Sequence, residues 1–455
     1  MSDFVSRNPA TTEILHRFPA WDPTQTKQAL RQVAAVTPNW ANFQIEQRGQ
    51  LLRRLAAVLR QQEGALARLI TLEMGKLLTE ARAEITKCAT ACDYYADQAT
   101  AFLADETIAS DATRSLVAHQ PLGTILAIMP WNFPFWQVFR FAAPALIAGN
   151  TAVLKHASNV PQCALALERL FVEAGFPEHV FRTLMIASAD VAAVIRDPRI
   201  HAVTLTGSEA AGRNVAACAG AALKKCVLEL GGSDPFIVLA DADLDLAIET
   251  AVITRFQNAG QSCIAGKRFI VVDAVADQFV ERFAVAIGQL RAGNPLDPNS
   301  TLAPLARADL CDELHGQVSA TLSAGGRRVT GCNRLDAPGY YYQPSLIDYV
   351  LPGMVAADQE LFGPVASVLR VADSAAALQL ANQTRFGLGG SIWTRDLALG
   401  EQMARQLQAG AVFVNGLVKS DPRLPFGGIK DSGYGRELSH HGMFEFLNVK
   451  TIWIR

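Results

Sequence analysis

The sequence has no excess of charge of either sign: 41 Lys and Arg stand against 43 Asp and Glu in 455 residues, a formal net charge of −2. Such a balance creates no long-range field, which excludes a protein built to coat nucleic acid or an anionic membrane surface. Cysteine is sparse as well. Eight cysteines in a chain of this length cannot form a disulfide scaffold, no two have CxxC spacing, and the nearest neighbours are Cys88 and Cys92. The opening Met1-Ser2-Asp3-Phe4 lacks the basic cluster and apolar stretch of a signal peptide. Together these absences predict a reducing cytoplasm. Long apolar runs are missing too. The most apolar region, 124–149, is interrupted by Asn132, Gln137, Arg140 and three prolines, and its longest clean run, 141–148, is eight residues. A bilayer span needs about 20, so the chain reads as soluble. No fixed-period repeat and no low-complexity tract occurs.

What is present is apolar material: half the residues are hydrophobic and only 18% are charged, the opposite of a disordered composition. At about 100–200 residues per domain, two to four domains are expected. The 47–102 stretch has Leu51, Leu52, Leu55, Val58 and Leu59 at helical spacing and predicts helix almost throughout. Residues 103–119 are polar and break that pattern, as an exposed hairpin or linker would. From 124 onward short apolar runs (124–129, 151–154, 180–186, 202–205, 226–228 and 236–239) alternate with helix-like stretches at 162–174, 189–196 and 209–222. A similar alternation resumes from about 267 to 415, and 448–454 reads as a strand. Continuous apolar strands separated by helices indicate parallel sheets covered on both faces. The fold class is therefore α/β, with two Rossmann-like lobes.

Dinucleotide binding usually shows itself as GxGxxG after a strand, and no such match exists. Gly207-Ser208-Glu209-Ala210-Ala211-Gly212 has phosphate-loop spacing, but Arg213-Asn214 follows where a Walker loop has Lys-Ser/Thr. It lies between a strand and a helix, where free N–H groups can hold a pyrophosphate; a plain strand-to-helix turn would look the same. Lys155 follows a predicted strand directly, at the end where open sheets bind ligands, or is a solvated lysine.

One cysteine has unusual surroundings. Cys263 lies in Asn258-Ala259-Gly260-Gln261-Ser262-Cys263-Ile264-Ala265-Gly266, whose glycines allow close approach to the sulfur. The other seven read as small buried hydrophobes. Val227-Leu228-Glu229-Leu230-Gly231-Gly232 places a lone carboxylate at an apolar strand end, where burial raises its pKa toward that of a useful base. In Pro130-Trp131-Asn132-Phe133-Pro134 an amide framed by prolines and aromatics can donate to an oxyanion. Thiolate, base and amide donor suit attack on a carbonyl. A cysteine protease needs a histidine beside its thiol; none of the eight histidines has such a context, and no His/Cys spacing suggests zinc.

Taken together, Pro130–Pro134, Leu154-Lys155, Thr206-Gly207-Ser208, Leu228-Glu229-Leu230-Gly231-Gly232, Gly260-Gln261-Ser262-Cys263, Glu360-Leu361-Phe362-Gly363-Pro364 and Pro425-Phe426-Gly427-Gly428 with Lys430, Ser432 and Gly433 resemble the aldehyde dehydrogenase superfamily, over essentially the whole chain. Lys155-His156-Ala157, Asn415-Gly416 and Gly435-Arg436-Glu437-Leu438-Ser439-His440 are similar to the short bacterial succinate semialdehyde dehydrogenases. The resemblance implies roles. Cys263 matches the nucleophile, Glu229 the base, and Asn132 the oxyanion donor beside the Cys263 N–H. Lys155, Ser158, Gly207 and Ser208 match contacts to the adenosine ribose and pyrophosphate of NAD or NADP. Glu360 matches the nicotinamide-ribose contact, with Trp131, Asn132, Leu230 and Phe362 around the nicotinamide. It further implies an NAD(P)-binding domain of 1–102 and 120–230, a catalytic domain of 231–435, and an oligomerisation β-element of 103–119 and 436–455. The partners implied are a small aldehyde and further copies of the chain, in a homodimer or homotetramer; no metal is implied.

The sequence departs from the family pattern after Lys155. A proline and, three residues on, a ribose-binding glutamate are common there; this chain has His156 and Ser158. Losing that carboxylate removes a charge that would repel a 2′-phosphate, so NADP as well as NAD is expected. Arg140 lies eight residues after Asn132, where longer succinate semialdehyde dehydrogenases place a carboxylate-binding arginine; their second arginine corresponds to Gln257 here. Arg140, Gln257 and Ser420 are the expected substrate contacts. The function expected is oxidation of a small aldehyde, succinate semialdehyde above others. The alternatives are a relative with another aldehyde or one passing the acyl group to phosphate or coenzyme A, with a non-enzymatic binding protein least favoured.

Overall fold

The computed structural model describes residues 3–455. Two mostly parallel sheets organise the chain. The first runs in the order Gly433–Tyr434, Lys225–Glu229, Ala202–Thr206, Thr124–Met129, Thr151–His156, Phe181–Thr183. Its last five strands are parallel, and Gly433–Tyr434 pairs antiparallel with Lys225–Glu229. The second runs Arg327–Thr330, Ser345–Asp348, Val365–Val371, Gly266–Val272, Asp234–Val238, Gly389–Trp393, Ala411–Val414, parallel except for the first pair. Every residue of Thr151–His156 and Gly266–Val272 is buried, as a sheet with helices on both faces requires.

A third sheet, Leu447–Ile454, Arg114–Pro121 and Glu106–Ile108, is antiparallel, and the polar segment after residue 102 forms its hairpin. The short strand Gly433–Tyr434 belongs to the first sheet, although the sequence places it among residues of the second lobe.

The stretch at 47–102 is helical almost throughout, as three helices: Ile45–Gln61, Glu63–Met74 and Leu78–Phe102. The second break is at Gly75, whose φ of 88° caps the helix in a conformation that disfavours any side chain. The apolar region after Met129 becomes Trp136–Ile147, buried on all faces and therefore an internal helix. Among the described residues no helix is long and apolar enough to cross a membrane.

Candidate active site

Parallel strands deliver their carboxyl ends side by side. Met129 pairs with His156 and Thr206 with Glu229, so Pro130–Asn132, Lys155, Gly207-Ser208 and Glu229-Leu230 emerge along one edge of the first sheet. Opposite lie Ser262–Lys267 and Glu360–Phe362 of the second lobe. Between the lobes is a cleft of about 570 Å³, lined by Trp131, Asn132, Gly207, Ser208, Leu230, Cys263, Glu360 and Phe362 among others. A volume in the range of ordinary ligand sites suits a large cofactor. Ser208 is the N-cap of Glu209–Ala221, its Oγ accepting from the Ala211 N–H at 3.4 Å, so the positive end of that helix faces the cleft. Glu360 is held by the Gly232 N–H at 3.2 Å and by Lys267 Nζ at 3.1 Å. Phe362 meets Trp131 edge-on at 5.8 Å. Lys155 and Ser158 lie beyond this cleft. Lys155 donates to Ser188 Oγ at 3.3 Å, with its pKa lowered by burial, and Ser158 is exposed.

The cysteine loop is over-determined. Asn258, Ala259 and Gly260 follow one another with φ of 53°, 52° and 74°, left-handed values that cost about 1–2 kcal/mol at each non-glycine residue. At Gly260 a side chain is impossible, because a Cβ would fall 2.3 Å from the Gly363 carbonyl oxygen. Long-range bonds hold this run. Glu80 accepts from the Asn258 N–H at 2.9 Å, and Asn258 Nδ2 donates to the Asn132 carbonyl at 2.9 Å. Arg255 Nη2 donates to the carbonyls of Gly260 and Gly363, each at 2.6 Å. Burial lowers the Arg255 pKa to about 9. Lys267 Nζ donates to the carbonyls of Ser262 and Cys263, each at 2.8 Å, and so fixes the peptide of the cysteine itself.

Cys263 forms part of the wall of two cavities, the cleft and a second chamber of about 200 Å³. Surrounding protein withdraws the thiol from bulk water and pushes its pKa up to about 11, against the opposing pull of Arg140 and Lys267. The unliganded protein therefore holds a thiol, not the ready thiolate that a lone reactive cysteine suggests. Asn132 Nδ2 donates to the Gln261 carbonyl at 3.1 Å. An amide has two donors, so this bond orients the group and uses only one.

Glu229 is buried but is not a lone carboxylate, which corrects the expectation from its strand. Its pKa is raised well above the ordinary value, first by burial and then by the neighbouring carboxylate of Glu437. It borders neither cavity that Cys263 borders. Its Oε1 occupies the space beside Gly427, where a Cβ would come within 2.6 Å. Neither carboxylate oxygen of Glu229 has a hydrogen-bond partner.

The structure brings all three expected substrate contacts, Arg140, Gln257 and Ser420, to the second chamber, together with Lys87, Phe133, Trp136 and Phe426. Arg140 is already engaged by the protein. Its Nε pairs with Glu437, its Nη2 donates to Thr206 Oγ1 at 3.2 Å, and its guanidinium stacks 4.5 Å over Phe426. Lys87 was not visible as a site residue in the sequence. Its signal was position alone: Glu80, Glu84 and Lys87 are at i, i+4 and i+7 of one helix and share a face. Glu84 Oε1 accepts from the N–H groups of Phe135 and Trp136 at 2.8 and 3.0 Å, while Oε2 pairs with buried Lys76. His156, for which the sequence suggested no structural role, bonds the Pro134 carbonyl at 2.8 Å through Nε2, and burial lowers its pKa to about 4. Both sides of the Asn132 loop are thus anchored. Among the described residues no cluster of side chains could hold a metal.

A cysteine at the meeting point of a dinucleotide-sized cleft and a small chamber defines a class, and the comparisons agree: the chain belongs to the aldehyde dehydrogenase family, whose family model matches residues 2–452. It is 50% identical over 447 residues to a probable NADP(+) succinate-semialdehyde dehydrogenase of Synechocystis sp., covering 98% of each chain. It is 47% identical to an NAD(P)+ succinate semialdehyde dehydrogenase of Escherichia coli, covering 99% of this chain and 97% of that one. The crystal structure of a succinic semialdehyde dehydrogenase from Streptococcus pyogenes in complex with NADP+ matches with a TM-score of 0.97, at 38% identity over 99% of each chain.

Proposed function

We propose that this enzyme oxidises succinate semialdehyde, or a similar small aldehyde carrying a terminal carboxylate, to the acid with NAD or NADP. The observation that carries the reading is the position of Cys263 between the large cleft and a small chamber walled by Arg140 and Lys87. The large cleft fits most of the dinucleotide: Ser208 and its helix end would hold the pyrophosphate and Glu360 the second ribose, with Lys155 and Ser158, beyond the cleft, placed to meet the adenosine ribose. Trp131, Leu230 and Phe362 would wall the nicotinamide. No carboxylate stands at Ser158 to repel a 2′-phosphate. When bound, the cofactor supplies the hydride acceptor that turns the cysteine adduct into a thioester.

The chain's own groups do the rest. Cys263 Sγ bonds to the aldehyde carbon as the carbonyl π pair moves to oxygen, and the Asn132 amide and Cys263 N–H hold that oxyanion. Glu229, rotated from its place beside Gly427, takes the thiol proton and releases it to solvent. In the second half it takes a proton from water, which attacks the thioester carbon while the C–S pair returns to sulfur, and it then gives that proton to the sulfur to restore the thiol. Retention of Glu229 favours water over phosphate or coenzyme A as acceptor. An intact Cys263, Glu229 and Asn132 set weighs against a non-catalytic binding protein.

The terminal strand Leu447–Ile454 forms a sheet edge with Val449, Trp453 and Ile454 outward. An unpaired apolar edge seeks a partner, and we assign it to a dimer or tetramer of this chain. All eight cysteines are free, which suits a reducing cytoplasm.

The test is a panel of aldehydes with and without a terminal carboxylate, assayed with NAD and NADP by absorbance. Succinate semialdehyde is expected to give the highest kcat/KM, and Cys263→Ala to lose all turnover while still binding NADP. Turnover by Cys263→Ala, or no preference for the carboxylate, refutes the proposal.

A further inference from the structure

Among the described residues three cations border the small chamber, Lys87, Arg140 and Lys419; Lys419 is exposed, and of the other two only Lys87 has no carboxylate within ion-pairing distance. Arg140 has Glu437, and Lys76, just behind the chamber, has Glu84. Lys87 Nζ instead donates to Ser420 Oγ at 2.8 Å and lies 4.2 Å over the Trp136 ring. Trp136 Nε1 also donates to Ser420 Oγ, at 2.9 Å. A hydroxyl has two acceptor lone pairs and one donor. With both lone pairs engaged, the Ser420 O–H must donate elsewhere, and the chamber is what it borders. An ammonium without a counter-ion and a hydroxyl compelled to donate therefore converge on one small cavity. Cys263 borders the same cavity.

Resting on the proposed aldehyde oxidation, we infer that Lys87, with Ser420 as its oriented hydroxyl, is the residue that selects the terminal carboxylate of the substrate. Arg140 is a positioning residue here: its pair with Glu437 and its stacking on Phe426 hold the chamber wall, and its charge adds to the field. Charge-assisted bonds in a chamber of this kind are strong because water competes poorly.

The groups facing Lys87 are Glu84 and Cys88 on its own helix, Arg140 on Trp136–Ile147, and Asp421 on the loop after Ser420; Glu80, Lys419 and Cys263 border the same chamber. Burial, then Arg140, lowers the Lys87 pKa to about 8, against the weaker opposing pull of Cys88, Glu84 and Asp421. Selection for the carboxylate should accordingly weaken in alkali.

The experiment compares wild type, Lys87→Met, Lys87→Gln and Lys87→Arg on succinate semialdehyde and on butanal, which has the same four-carbon chain without the charge. The readout is the ratio of the two kcat/KM values, in which any loss of folded enzyme cancels. Both neutral variants are expected to lower the ratio roughly 100-fold, chiefly through KM for the semialdehyde, as for a buried charge losing its partner. Lys87→Arg is expected to restore most of it. In wild type the KM for succinate semialdehyde should rise between pH 8 and 10 while that for butanal does not, and Lys87→Arg should flatten that rise. A ratio kept within threefold in both neutral variants overturns the assignment. If wild type itself shows no preference for the semialdehyde, the substrate reading falls instead.

Discussion

The resting state of Cys263 can be read chemically by alkylation. With its pKa at about 11, the thiolate fraction at pH 8 is about 0.1%, against about 24% for an unperturbed thiol near 8.5. Thiolate supply alone would slow alkylation roughly 200-fold. A more basic thiolate is also a better nucleophile, with a Brønsted slope of about 0.4–0.5, which returns about tenfold or slightly more over that difference. The net expectation is that iodoacetamide labels Cys263 in the cofactor-free enzyme at pH 8 about 20-fold more slowly than it labels a model thiol. The rate should rise nearly tenfold per pH unit up to pH 10, with no plateau near 8.5. Short exposures followed by peptide mass spectrometry separate Cys263 from the seven other cysteines, and the urea-unfolded chain gives the reference profile. A plateau at or below pH 9 would refute the argument, because burial would then not be the dominant influence on the sulfur.

Two further outcomes can be checked. Asp234 is buried with Oδ2 unpartnered, and burial raises its pKa to about 7. Its folded-state pKa lies above the unfolded value, so the folded state binds the extra proton and stability falls as pH rises from about 4 to 7, by at most on the order of 4 kcal/mol. Asp234→Asn should therefore raise the melting temperature relative to wild type at pH 8 and not at pH 4; a gain equal at both would contradict the linkage. Deleting 448–455 should reduce the assembly to smaller species by sedimentation velocity, and an unchanged sedimentation coefficient would remove the terminal strand from the interface.

The dominance of long-range contacts explains which parts of the site were legible in advance. The runs at 124–129 and 202–205 give strands because a doubly covered parallel strand must be apolar on both faces, a local signature. The helix beginning at Glu209 follows Ser208 because a hydroxyl there satisfies a free N–H. Cys263, Glu229 and Asn132 stand out because each is a reactive or polar residue in a small, local, glycine- or proline-framed motif, whereas Glu360 was singled out only through the family resemblance. Glu84 and His156 do not, because the groups they hold are on other elements: Glu84 bonds the amides of Phe135 and Trp136, and His156 the carbonyl of Pro134. The break at Gly75 was not legible in the 47–102 stretch because a left-handed glycine cap leaves the apolar spacing on either side undisturbed.

By itself the sequence determined the α/β class, singled out Cys263, Glu229 and Asn132 as candidates, and showed the absence of a carboxylate at Ser158. These are matters of residue type and short-range pattern. Tertiary structure alone decided how the charges are shared. It paired Arg140 with Glu437, almost 300 residues away, set Glu229 beside that same carboxylate, and left Lys87 facing the chamber with Ser420. An arginine and a lysine are both cations in a sequence. Which one is neutralised depends on what folds against it, and in a chamber with little water that pairing decides which charge can meet a substrate.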